Sequence, residues 1–201
     1  MNYLHNVSEL KNRYFVIRHG NSLANQQALV VSSPQIGIDN YGLTSLGQTQ
    51  VVNSLQLNTT LPDNFKIISS DFKRASETAK IVKQHCNSQN TVHYDVRLRE
   101  RFFGDYDGGP NTAYEKIWAL DEQNADQVVA NVESANNVTR RATELIVELE
   151  RKHNKKCFLL VSHGDTLQLL QTAFLKQSAQ NHRSVKHLET AEIRELILTI
   201  I

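Results

Sequence analysis

Two apolar runs in this chain end in the same dipeptide. Residues 14–17 lead into Arg18, His19 and Gly20, and residues 157–161 lead into Ser162, His163 and Gly164. An unbroken apolar run of this length marks a strand buried on both faces. Each run also feeds a helix signal. Ser22 is a candidate N-cap ahead of Leu23, Ala24 and Asn25, and Leu167, Leu170, Gln171 and Phe174 follow the second His-Gly. In open α/β sheets ligands bind beyond the carboxyl ends of the strands. If the two strands are neighbours, both imidazoles meet at one edge. Free N–H groups at a helix start, next to Arg18, suit an anion such as phosphate. Gly20 allows a sharp turn there, or a close ligand approach.

The remaining segments alternate in the same way. Thr44 reads as the N-cap of a helix over roughly 45–56, and residues 66–70 as a short strand ending in Ser69 and Ser70. The next helix carries Ala75, Ala79 and Val82 at helical spacing, with Arg74 in its first turn. A cation there opposes the helix dipole, which suggests that Arg74 serves a ligand. Residues 91–96 read as a third strand, followed by a charged, aromatic and glycine-rich loop over 97–110 that contains Glu100 and Arg101. Residues 111–131 predict one or two short helices including Trp118. Residues 135–152 predict a long helix with Val138, Ala142, Leu145, Ile146 and Leu149 on one stripe. Residues 193–199 alternate as a last strand. The expectation is one domain over 1–201 with a short lid at about 100–132. Its fold class is α/β, a three-layer α/β/α sandwich around a mostly parallel sheet.

Composition narrows the function. A net charge of +1, with isolated basic pairs such as Arg140-Arg141 and Lys155-Lys156 and no longer basic run, argues against a dedicated nucleic-acid or anionic-membrane binder. No run approaches the roughly 18 apolar residues of a membrane span, and no apolar leader is visible at the start, so a cytoplasmic location is expected. Cys86 and Cys157 form no CxxC motif and predict no disulfide framework.

Taken together, Arg18-His19-Gly20 with Asn21, Ser22 and Asn25, Leu43-Thr44 with Gly47, Ser69-Ser70-Asp71 with Arg74, Leu98-Arg99-Glu100-Arg101, and Ser162-His163-Gly164 stand in one order. In that order the chain resembles the histidine phosphatase superfamily, in its phosphoglycerate-mutase-like branch, across residues 14–167. The resemblance implies a three-layer fold and assigns roles. His19 would be the nucleophile that becomes phosphohistidine. Arg18, Arg74 and His163 would hold the phosphoryl oxygens, with Asn25 adding a hydrogen bond. Glu100 would donate a proton to the leaving oxygen. Ser22, Arg101 and Gly164 complete the expected substrate contacts. Two guanidiniums match what phosphoryl transfer needs, which is positioning and neutralisation of charge. They also disfavour a protonated His19. No metal or other cofactor is expected.

The short segment after the Glu-Arg loop favours hydrolysis over transfer, because a small lid shields phosphohistidine from water less well. The expected activity is a metal-independent phosphatase acting on a small phosphorylated molecule, a sugar phosphate or similar. A cofactor-dependent phosphoglycerate mutase and a non-catalytic phospholigand binder are the alternatives. Asn21 departs from the Glu or Gln of many relatives, and Asp165 places a carboxylate near the phosphate end. The remaining histidines, including His187, read as surface or structural. The last strand is a candidate for pairing across a homodimer.

Overall fold

A computed structural model describes residues 2–86 and 91–200. In chain order the elements are β1 (Arg13–Arg18), α1 (Leu23–Gln26), α2 (Pro34–Gly37), α3 (Ser45–Leu57), β2 (Lys66–Ser69), α4 (Lys73–His85) and β3 (His93–Tyr94). There follow α5 (Ala113–Gln123), α6 (Ala135–Lys152), β4 (Cys157–Ser162), α7 (Gly164–Phe174) and β5 (Ile193–Leu196). The strands form one sheet in the order β3-β2-β4-β1-β5, parallel except for β5.

The apolar runs explain the layers. Alternate residues of β1 and β4 point to opposite faces, and both faces are covered. Tyr14, Val16, Phe158 and Leu160 pack with Leu145, Ile146 and Leu149 of α6 and with Leu167, Leu170 and Phe174 of α7. Phe15, Ile17, Leu159 and Val161 pack with Val51 of α3 and with Ala75, Ala79 and Val82 of α4. This is the expected α/β/α sandwich. Cys86 and Cys157 are free thiols. Among the described residues no helix is long and apolar enough to cross a membrane.

Two strands are shorter than their sequence pattern. The third covers His93–Tyr94 rather than 91–96, because residues 96–98 turn into a 3-10 helix capped by Asp95. The last ends at Leu196 rather than at 199. Leu196 is opposite Tyr14 near the start of β1, and Thr199 donates instead to the Phe174 carbonyl at the end of α7.

Gly20 is a packing glycine rather than a ligand approach. A Cβ there would lie 2.4 Å from the Gly47 carbonyl oxygen, and a Cβ on Gly47 would lie 2.0 Å from the Asn21 carbonyl oxygen. The start of α3 therefore abuts the backbone that follows His19. In a free helix Gly→Ala stabilises by about 1 kcal/mol. Here a backbone clash opposes that gain, and overpacking costs about 1–3 kcal/mol. Gly47→Ala should therefore lower the urea-unfolding midpoint. A midpoint at or above wild type would show that the two backbones separate freely.

Candidate active site

The register of β1 on β4 sets Ile17 opposite Val161 and Arg18 opposite Ser162. His19 and His163, one residue further on each strand, therefore come out side by side. Their ring centroids are 5.2 Å apart at 61°. Both are buried. His19 Nδ1 lies 2.8 Å from the Gly20 carbonyl oxygen. A carbonyl only accepts, so Nδ1 carries the proton and Nε2 keeps its lone pair. That lone pair accepts from Arg74 Nε at 3.0 Å.

Arg74 is also tied through Nη2 to the Val31 carbonyl at 2.9 Å, while Nη1 is buried with no partner among the described residues. Arg18 donates from Nη1 to the Leu188 carbonyl at 3.0 Å and to His187 Nε2 at 2.7 Å, and its buried Nε likewise has no partner. His163 meets Ser70 Oγ through Nε2 at 2.8 Å and has a buried, unpartnered Nδ1. Three side chains around one imidazole thus keep buried polar atoms unspent. Such atoms are expensive unless something pairs them.

Burial first, then the Arg74 and Arg18 charges, hold His19 well below the ordinary histidine range, against the pull of the Gly20 carbonyl. Burial and then Arg74 do the same to His163. Glu100 is pushed upward by burial and by the charge of Asp165, with Arg74 and Arg18 opposing. Its loop is fixed from three sides. Arg141 of α6 donates to the Arg97 and Arg99 carbonyls, Ser162 Oγ to the Leu98 carbonyl at 2.6 Å, and Thr166 Oγ1 to the Arg99 carbonyl at 2.7 Å.

Arg18, His19, Ser22, Asn25, Arg74, Glu100, Gly164 and Asp165 line a cavity of about 190 Å³, with Tyr114, Trp118 and His187 on its wall, while His163, beside His19, is not among the lining residues. Asn25 spends Oδ1 on the Ser22 N–H at 3.0 Å and on the Ser22 hydroxyl, closing the cap of α1, so its amide nitrogen is the end left to donate.

Arg101 is not a substrate contact. It is fully buried away from the cavity wall. It grips Asp121 of α5 through two nitrogens at 2.6 and 2.8 Å, and Nε donates to the Glu133 carbonyl at 2.7 Å. Phe103 is likewise core, packed on Tyr114, and Phe102 is exposed. His187 is the cavity residue that the sequence reading placed outside the site. It arrives from the segment before β5, with no local motif to announce it. The hydrogen bond from Arg18, which can only donate, puts the His187 proton on Nδ1.

A lone pair held at Arg74, with a second guanidinium and a buried carboxyl lining the same small cavity, is chemically equipped for phosphoryl transfer. The comparisons agree on the class. The histidine phosphatase superfamily (branch 1) model matches residues 14–199. The chain is 26% identical over 180 residues to the broad-specificity phosphatase YOR283W of Saccharomyces cerevisiae, covering 86% of this chain and 74% of that one. It is also 26% identical over 170 residues to the probable phosphatase C1687.21 of Schizosaccharomyces pombe, covering 82% and 74%. Among solved structures it superposes on a mycobacterial glucosyl-3-phosphoglycerate phosphatase with a TM-score of 0.74 at 24% identity, covering 91% and 88%. The chain belongs to the histidine phosphatase superfamily, branch 1, and is a phosphoric monoester hydrolase of that family.

The buried histidines predict an acid sensitivity whose sign can be worked out. Unfolded histidine binds a proton as pH falls through about 6.5, while folded His19 and His163 do not, so each loses stability on acidification. Glu100 acts oppositely, because the folded state holds its proton where the unfolded state has lost it. From pH 7 to 5.5, Glu100→Gln should lose more stability than wild type, because it lacks the carboxyl that opposes the two histidines. Urea midpoints at the two pH values test this. Equal losses in the two proteins would contradict it.

Proposed function

We propose that the protein is a metal-independent phosphatase that hydrolyses a small phosphoester through phosphohistidine at His19. The observation that carries this reading is the Nε2 lone pair of His19, fixed by the Gly20 carbonyl and facing Arg74 at 3.0 Å. A substrate phosphate would take over the Arg74 Nε donor and free the lone pair. The unspent Nε of Arg18 and Nη1 of Arg74, with His163 Nδ1 and the Asn25 amide, supply donors for its oxygens. Charge neutralisation thus comes from guanidiniums fixed by the backbone carbonyls of Val31 and Leu188.

In the first step Nε2 forms a bond to phosphorus as the bond to the leaving oxygen breaks. Glu100, whose carboxyl burial pushes toward its protonated form, gives that oxygen its proton. In the second step water attacks phosphorus, the N–P bond breaks, and the Glu100 carboxylate takes the proton from the water. Inorganic phosphate leaves and both residues return to their starting forms. A cavity of about 190 Å³ suits a small phosphorylated metabolite. The relatives named as a broad-specificity phosphatase and a glucosyl-3-phosphoglycerate phosphatase support the same class.

Hydrolysis of an aryl phosphate should persist in a metal chelator and be abolished by His19→Ala. Glu100→Gln should slow an alkyl phosphate by about 10²–10⁴-fold, the usual scale of general acid catalysis. Rapid acid-sensitive labelling from a ³²P substrate should disappear with His19→Ala. Turnover that survives His19→Ala would overturn the reading. Phosphate transfer to phosphoglycerate only with a bisphosphorylated primer would assign a mutase instead.

A further inference from the structure

Asp165 is buried in the first turn of α7, two residues past His163. The scheme above gives it no task. Its Oδ1 accepts from Trp118 Nε1 of α5 at 2.8 Å, and its Oδ2 accepts from Arg101 Nη1 at 3.3 Å. The dipole of the eleven-residue α7 adds to the stabilisation of a negative charge there. Glu100 shares the neighbourhood. Its Oε1 accepts from the N–H of Arg101 at 3.0 Å and the N–H of Thr166 at 3.3 Å, the residues that touch or adjoin Asp165. Both carboxyls line the same small cavity.

Two carboxyls in one desolvated cavity do not ionise independently, and the proton settles on the one whose charge is less supported. Asp165 has a guanidinium, an indole N–H and a helix start. Glu100 has two backbone N–H groups on one oxygen, and it faces Arg18 of β1 and Arg74 of α4, with the neutral Tyr114 phenol of α5 nearby. A bound phosphate dianion would offset those two guanidiniums and leave the Asp165 charge acting on Glu100. Around Asp165 itself the charged and titratable groups include Arg101, Arg18, His187, Tyr114 and Glu100.

We propose that Asp165 is a positioning residue, the fixed anion that leaves the cavity's transferable proton on Glu100 and, through Trp118, seats α5 over the leaving group. The seat extends into the wall. Trp118 stacks on Tyr114 at 5.5 Å and 12°, and Arg183 covers the indole ring at 3.7 Å. Arg101 ties the same helix to the Glu100 loop through Asp121. One carboxylate therefore sets both where the proton resides and where the wall stands.

This inference rests on the reading of Glu100 as the acid, and a titration separates it from that reading. In the full-length protein with ¹³C-labelled glutamate carboxyls, the Glu100 signal is the one lost in Glu100→Gln. Asp165→Asn should lower its titration midpoint by about one pH unit, a tenfold change in the protonated-to-ionised ratio, and Asp165→Glu should restore it. Trp118→Phe, which removes one donor from the Asp165 anion and so draws part of the shared proton from Glu100 to Asp165, should move the midpoint the same way by less. In turnover, Asp165→Asn should slow an alkyl phosphate, whose leaving oxygen needs a proton, about tenfold more than dinitrophenyl phosphate, whose leaving oxygen does not. An unmoved Glu100 midpoint in folded Asp165→Asn overturns the inference. If that variant does not fold, an unmoved midpoint in Trp118→Phe overturns it. Hydrolysis independent of His19 would overturn the functional reading and not the titration.

Discussion

The parallel pairing of β1 with β4 is the constraint on which the rest depends. Six consecutive residue pairs hold the two central strands in register. Their side chains fill the core on both faces, so a slip by one residue would exchange every contact of one face for the other. The same register delivers His19 and His163 to one edge. Core packing and site geometry are thus a single specification. The Gly20–Gly47 contact extends it, because α3 can lie against the turn after His19 only where neither backbone carries a Cβ.

Arg74 and Arg101, both buried, and the half-buried Arg18 show how the protein separates structural charge from charge held for a ligand. Burying an ion costs several kcal/mol unless its hydrogen bonds are completed. Arg101 completes them, with all three guanidinium nitrogens engaged by Glu133, Asp121 and Asp165. Arg18 and Arg74 do not. Each is anchored on one side by a backbone carbonyl and keeps a buried nitrogen unspent on the other. The two carboxyls that share their cavity are engaged elsewhere, Glu100 by its own backbone donors and Asp165 by Arg101 and Trp118. Among the described residues neither guanidinium is ion-paired, although Glu100 and Asp165 line the same cavity, and two unpaired cations side by side suit an anion.

The sandwich and the histidine pair were legible in the sequence because both are local patterns. An apolar run ending in His-Gly carries its strand, its turn and its edge position within about eight residues. Arg74 was legible for a related reason, since a cation at a helix start conflicts with the dipole and calls for an explanation. Arg101 was misread because its partners, Asp121 and Asp165, lie 20 and 64 residues away in sequence. Beside Glu100 in a polar loop it had every local mark of a ligand contact. His187 was missed by the converse logic. Nothing around it forms a motif, and only the return of the chain to β1 brings it to Arg18. The two shortened strands reflect pairing limits that propensity cannot see. β5 stops where β1 runs out, and the chain then bonds to the end of α7.

The antiparallel edge strand therefore contributes more than an extra row of hydrogen bonds. Its pairing brings Ala191 N–H to the Arg18 carbonyl at 3.0 Å, so the segment before it must cross the mouth of the site. Arg194 of β5 clamps that segment by donating to the Lys186 carbonyl at 2.7 Å and the His187 carbonyl at 3.1 Å, and it reaches Gln171 of α7 at 2.5 Å. Held in this way, the Leu188 carbonyl and the His187 ring orient the Arg18 guanidinium at the cavity wall. A parallel strand in the same place would need a long crossover and would present its other end to the site. Reversing the last strand lets a few residues close the wall and fix the second guanidinium at once.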